Sequence, residues 1–301
     1  MAVAGGRDAG EERGRGEAVR YLVAGASGYV GQAVQAALLH AGHRVVAVSR
    51  RGDACPGAEP IAQDLLATDL KPLLLGVDGV VNLVGVLRER PFAGTTFERT
   101  HLGVARRLTE SAAAVGVRRF VHLSSLAASR GARGRYFDSK RAAEKAVAQT
   151  LPGATVVRAS LVFGPGSPLQ KGLDRLAALP VAPVPGLPHT LFDPVHRDDL
   201  AVLLASIVAD GSDAVPLSLE VGGPRRVTLA EMVDWAAAAR GRRIPVPKWC
   251  VPLPLLSLLA AAGSRWPTLS ISSVPLEMLT TPNTTDDDRW RQWVPHPASP
   301  F

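Results

Sequence analysis

Segments of strand character and segments of helix character alternate six times between residues 20 and 164. "RYLVAGA" (20–26) is a short apolar run closed by glycine. "YVGQAVQAALLHAG" (29–42) carries apolar residues at helical spacing and stops at Gly42, and "HRVVAVSR" (43–50) is again a strand. The order continues with "PIAQDL" (60–65) and a short helix, the apolar run "GVVNLVGVL" (79–87), a long helix over about 96–115 and "RRFVHLSS" (118–125). A helix from Tyr136 to about Thr150 and the strand "TVVRASLVFG" (155–164) complete it. Uninterrupted apolar runs such as 79–87 suit strands covered on both faces. The alternation predicts an α/β fold, a Rossmann-like doubly wound parallel sheet.

After Gly164 the texture changes. "PGSPLQ" and "LPVAPVPGLPHTLFDP" are proline-rich and irregular, whereas "VTLAEMVDWAAAARG" (227–241) is a helix opened by a capping box of Thr228 and Glu231 and closed by Gly241. The expected organisation is a disordered mixed-charge tail over 1–18, a dinucleotide-type domain over 19–165, a smaller α+β lobe over 166–285 interleaved with it, and a surface tail over 286–301.

With 301 residues, 47% of them hydrophobic, the chain can bury a core of that size and a lobe besides. Its formal charge of +7 comes from arginines scattered through ordinary segments, without a basic helix or an aromatic-interleaved patch, so no nucleic-acid partner is expected. Cys55 and Cys250 stand far apart and outside any metal-type spacing, which suits a reduced, cytoplasmic setting and no metal. The first residues lack the long apolar run of a secretory signal. "WCVPLPLLSLLAAAG" (249–263) is shorter than the roughly 20 residues that span a bilayer. It reads as a buried or lobe-capping helix, or as a segment lying on a membrane or a membrane partner.

The first strand–helix junction carries "GASGYVGQ", with Gly25, Gly28 and Gly31 three apart. Glycines there permit the tight turn, let backbone approach a pyrophosphate and let the helix pack on the strand, while the helix N-terminus offers free N–H groups. The expected cofactor-binding set begins with Gly25, Ser27, Gly28, Tyr29, Val30 and Gly31. At the end of the second strand an acid would hold the ribose 2′-OH of NAD(H), and arginine a 2′-phosphate. The chain reads Ser49-Arg50-Arg51, with Asp53 slightly late. Arg50 and Arg51 therefore favour NADP(H), with NAD(H) the alternative.

Tyr136 begins "YFDSK", and Lys140 follows four residues on, one helical turn away on the same face. A neighbouring ammonium lowers a phenol's pKa, and a phenol so tuned can exchange a proton with an alcohol or carbonyl.

The glycine turn, the YxxxK pair and "VFGPG" together resemble the short-chain dehydrogenase/reductase superfamily in its extended or atypical, epimerase/dehydratase-like branch. "FERTHLGVARRLTESAAAVGVRRFVHLSSLAA", "YFDSKRAAEKAV", "VVRASLVFGPG", "FDPVHRDDLA" and "GGPRRVTLAEMV", in this order, are similar to the family of the NAD(P)H-carrying accessory subunit of respiratory complex I and its bacterial relatives. That resemblance runs from about residue 19 to 280. It implies that Tyr136 is the acid/base and that Lys140 holds the nicotinamide ribose and tunes the tyrosine. It places Asp64, with Leu65 beside it, against adenine. Leu83, Val84 and Gly85 lie along the cofactor, and Gly164 and Pro165 beside the nicotinamide. The substrate-orienting position falls on Ser124 or Ser125, or on Leu126 if the register shifts. Only ten residues, "LAASRGARGR", separate Ser125 from Tyr136, fewer than in extended members, and His101 stands where the family has asparagine, as a packed or capping histidine.

Two functions are open on this reading. One is an NADP-dependent oxidoreductase or epimerase/dehydratase acting on a small carbonyl, alcohol or nucleotide sugar. The other is a module that holds NADPH as a structural or sensing ligand and docks a respiratory or membrane complex, with contact through 249–263.

Overall fold

The computed structural model describes residues 19–185, 189–210, 212, 214–252, 278–279 and 281–298. The expected N-terminal tail and residues 253–263 of the apolar run lie outside them. In chain order the first half runs β1 (Arg20–Ala24), α1 (Tyr29–His40), β2 (Arg44–Ser49), β3 (Glu59–Ala62), α2 (Lys71–Leu74), β4 (Gly79–Asn82), α3 (Val104–Val115) and β5 (Arg119–Ser125). It continues with α4 (Leu126–Ser129), α5 (Arg135–Thr150), β6 (Thr155–Ala159), β7 (Val162–Phe163) and α6 (Pro168–Ala177). The second half adds β8 (Ala182–Pro185), β9 (Leu191–Phe192), β10 (Val195–His196), α7 (Arg197–Ala209), β11 (Ser218–Val221), β12 (Val227–Thr228), α8 (Leu229–Ala239) and β13 (Lys248–Val251).

Seven strands form one sheet in the order β11-β6-β5-β4-β1-β2-β3, and every pairing in it is parallel. The chain starts in the middle, winds outward through β2 and β3, then crosses back to β4. The crevice between the carboxyl ends of β1 and β4 is therefore the switch point, where open α/β sheets bind ligands. Helices α1 and α7 pack together on one face and α3 and α5 on the other. Leu200, Leu203 and Leu204 of α7 are fully buried against the sheet, each such side chain contributing about 1.5–3 kcal/mol. The smaller lobe has its own core, in which Leu169 and Leu173 of α6 meet Met232, Val233 and Ala236 of α8. Thr228 and Glu231 form the expected reciprocal cap of α8.

Four differences from the sequence reading have physical causes. The strand expected over 79–87 ends at Asn82, and the apolar residues after it leave the sheet to line a cleft. The helix expected from 96 opens instead as a π-helical turn (Glu98–Gly103) that runs into α3. The strand expected over 155–164 breaks after Ala159, because β7 turns away to pair with β10. The end expected as surface tail packs: Trp290, 1% exposed, and Val294 join the core beneath β11 and α7, with apolar area outweighing the polar composition around them.

Candidate active site

The cleft lies where β1, β4, β5 and β6 end. It encloses about 370 Å³ and is lined by the glycine turn, Leu83 and Gly85 to Leu87, the end of β5, Tyr136 and Lys140, the break after β6, the start of α6 and Met278.

The turn is built by packing. Gly25 sits at φ +83°, a conformation L side chains rarely adopt, and a Cβ there would stand 3.1 Å from the Leu83 carbonyl carbon. At Gly31 a Cβ would stand 2.3 Å from the Gly25 carbonyl oxygen, so only glycine lets α1 approach the turn. Gln35, fully buried, donates to the carbonyls of Ala26 and Gly31 at 2.8 and 3.1 Å and bolts helix to turn. Gly28 is the N-cap of α1. No side chain caps the helix there, and its first turn holds no acidic residue, so the N–H groups of that turn face the cleft uncompensated. This arrangement suits a pyrophosphate, and it is the observation by which the residues present fit a dinucleotide.

On the opposite wall, Tyr136 and Lys140 of α5 are 6% and 7% exposed. Lys140 Nζ donates to the Leu123 carbonyl at 3.1 Å, and burial pulls its ammonium down to about 8. Burial pushes the Tyr136 hydroxyl up to about 12. That is opposite to the direction expected from the lysine's spacing, because desolvation of the phenolate dominates in the protein alone. Ser124 and Ser125 both end β5 against the cleft, and Ser124 Oγ is buried without a hydrogen-bond partner. Leu126 is fully buried in the core and does not line the cleft. The short connection from Ser125 to Tyr136 folds back on α5, where Arg141 donates to the carbonyls of Ala128 and Ala132 at 3.0 and 2.8 Å.

His101 lies within the π-helical turn, 1% exposed. Its ring stands edge-on to Tyr136 with centroids 5.3 Å apart and stacks on Phe97 at 5.5 Å. Nδ1 is 2.8 Å from Ser139 Oγ, and Nε2 accepts from the Val86 N–H at 3.1 Å. Burial and, less, the Lys140 charge pull it down to about 2, so it is neutral. Beneath it His122, also driven down to about 3 by burial, takes a hydrogen bond from Asn82 Nδ2 at 3.1 Å, while Asn82 Oδ1 accepts from the Val84 N–H. The sequence reading passed over Ser139, Asn82 and His122. The available signal was a polar residue inside each apolar strand, "GVVN" and "FVHL".

The remaining expected residues are not among those that line the cleft. Gly164, at φ +134°, is buried so close to Tyr29 that a Cβ would meet its hydroxyl at 2.7 Å, and Pro165 is exposed. Ser27 is half-buried, and Val84 lies in the loop after β4. Arg50 and Arg51 are exposed just past β2, Arg51 paired with Asp53 at 3.0 Å. Asp64 is exposed and accepts from the Leu66 N–H, and Leu65 is buried beside it.

Residues 21–182 match the NAD dependent epimerase/dehydratase family. The chain belongs to that family. Two relatives are 31% identical to it. One is the 40 kDa subunit of mitochondrial NADH-ubiquinone oxidoreductase from Neurospora crassa, over 66% of this chain and 52% of the relative. The other is a ceramide reductase from Caulobacter vibrioides, over 73% of this chain and 70% of the relative. The chain thus spans about half the length of the Neurospora subunit. Among solved structures, MoeE5 in complex with UDP-glucuronic acid and NAD superposes with a TM-score of 0.69 at 23% identity, over 94% of both chains. That likeness shows the epimerase/dehydratase fold. Among the described residues no helix is long and apolar enough to cross a membrane, and no cluster of side chains could hold a metal ion.

Proposed function

We propose that this member of the epimerase/dehydratase family is an NADP(H)-dependent oxidoreductase that reduces a carbonyl. The observation that carries the reading is the burial of Tyr136 and Lys140 together across one cleft from the uncapped glycine turn. The turn and the first N–H groups of α1 would hold the pyrophosphate, Arg50 and Arg51 the 2′-phosphate, and Lys140 the nicotinamide ribose. The bound dinucleotide would supply the hydride. Tyr136, kept protonated by its burial, would give its proton to the carbonyl oxygen, which Ser124 or Ser125 would orient.

A second reading, a module that holds NADPH within a respiratory or membrane complex, draws on the kinship with the Neurospora subunit and on the short connection before Tyr136. One experiment separates the two. Ligand released from the purified protein is identified by mass spectrometry, and bound-nicotinamide fluorescence is then followed through a panel of carbonyls and nucleotide sugars. NADPH that exchanges and is consumed supports the enzyme. NADPH that stays bound and unreacted throughout supports the module.

A further inference from the structure

We infer that the substrate end of the cleft takes an aliphatic carbonyl, a molecule with a hydrocarbon chain and no phosphate, and not a nucleotide sugar. The inference rests on the reading of Tyr136 as proton donor and adds the class of molecule that reaches it.

Tyr136 sits in the apolar cluster that forms the core of the smaller lobe. Leu161, Leu169 and Met278 of that cluster line the cleft beside it, and Leu87, which packs against the cluster, and Val86 face them. Among the described lining residues Lys140 carries the only charge, and it is turned to the Leu123 carbonyl. The hydroxyl of Ser160, at the break after β6, is spent on the Asn283 carbonyl at 2.7 Å. A nucleoside diphosphate would bring two negative charges into this wall, and burying a charge without a partner is costly. Arg226 already holds Asp193 and Asp286, Arg130 holds Glu220, and Arg135 holds Glu89. A hydrocarbon chain asks nothing of such a wall except to leave water. The step balances: the carbonyl carbon gains hydride, its oxygen gains the Tyr136 proton, NADPH becomes NADP+, and the phenolate regains a proton from solvent.

The test uses the full chain loaded with NADPH and a series of straight-chain 2-ketones of rising length. Turnover is read as NADPH consumption. Binding is read separately from the emission of protein-bound NADPH in Tyr136→Phe. Affinity and kcat/KM are expected to climb up to about fourfold per methylene until the wall is covered, while UDP-glucuronic acid neither reacts nor competes. Leu169→Gln should flatten the climb with NADPH affinity kept, and Met278→Gln, at the cleft's edge, does the same if the first variant fails to fold. Binding that is indifferent to chain length, or competition by UDP-glucuronic acid, overturns the inference. A climb in binding with no turnover of any ketone supports the inference and overturns the catalytic reading of Tyr136.

Discussion

His101 Nδ1 donates a hydrogen bond to Ser139 Oγ across 2.8 Å. With the hydroxyl's proton on the Tyr136 carbonyl at 2.6 Å and Nε2 accepting from the Val86 N–H at 3.1 Å, the serine oxygen accepts from the ring. His101 is thereby fixed in one tautomer, with the Nε2 lone pair facing the Val86 N–H. One neutral ring joins the turn that bears Tyr136 to the loop that lines the cleft. His101→Phe should keep the stacking and lose both hydrogen bonds. We expect a loss of about 1–3 kcal/mol in urea unfolding, the penalty for stranding buried partners, and a fall in kcat larger than any change in NADPH affinity. An unchanged unfolding midpoint would count against the bridge.

Gly28 is where charge can be set against the cofactor without breaking the turn. Its φ of −72° suits any residue, and a Cβ would stand 3.1 Å from the Gly25 carbonyl oxygen, a tight approach relieved by a small shift. Gly28→Asp should weaken dinucleotide binding by on the order of a hundredfold or more, since two like charges about 4 Å apart near a protein surface repel by roughly 4 kcal/mol. Gly28→Ala, with the same Cβ and no charge, is the control. Titration of NADPH fluorescence compares them, and equal affinities would remove the turn as the pyrophosphate site.

On the proposed reading, two exposed guanidiniums, Arg50 and Arg51, set the choice of cofactor. Replacing both Arg50 and Arg51 by Ala should cut the preference for NADPH over NADH by roughly tenfold per arginine, as a lost charge-assisted hydrogen bond would. Because Arg51 is paired with Asp53, Arg50 should carry the larger share. Dissociation constants for both nucleotides decide it, and an unaltered ratio would reject the assignment.

Acid should unfold this protein early. His101 and His122 are held down to about 2 and 3, whereas an unfolded histidine titrates near 6.5. Between those values the unfolded chain binds protons that the native state refuses, so stability falls as pH drops below about 6.5 and is flat for these groups above it. By pH 5 each histidine accounts for about 2 kcal/mol. His122→Asn should remove about half of the histidine contribution to the slope of the urea midpoint between pH 7 and 5, and a wild-type slope in that variant would exclude His122 as one of the two sensors.

The sheet was legible because its strands are apolar runs bounded by glycine, and the turn because Gly25 and Gly31 answer to local geometry. That Tyr136 and Lys140 share one helix was legible from their spacing together with their place after the fifth strand. What spacing could not convey was burial: it predicted a phenol tuned downward by its lysine, and the folded lobe instead removes water from the hydroxyl and drives it up. The bridge from His101 to Ser139 spans 38 positions, and no local pattern announces a contact of that separation. Trp290 was hidden for a related reason. A single large side chain in a polar stretch finds its place only against strands laid down far earlier in the chain.

Gly25 and Gly31 are retained by packing, one by a backbone conformation and the other by the touch of α1 on the turn. Neither needs a nucleotide to justify it. A descendant that had given up its cofactor would meet the same strain and the same clash on losing them, so both would tend to persist as fossils in a protein that no longer bound a nucleotide. Gly28 alone is free to drift, and a side chain at that one position would be the first mark of such a history.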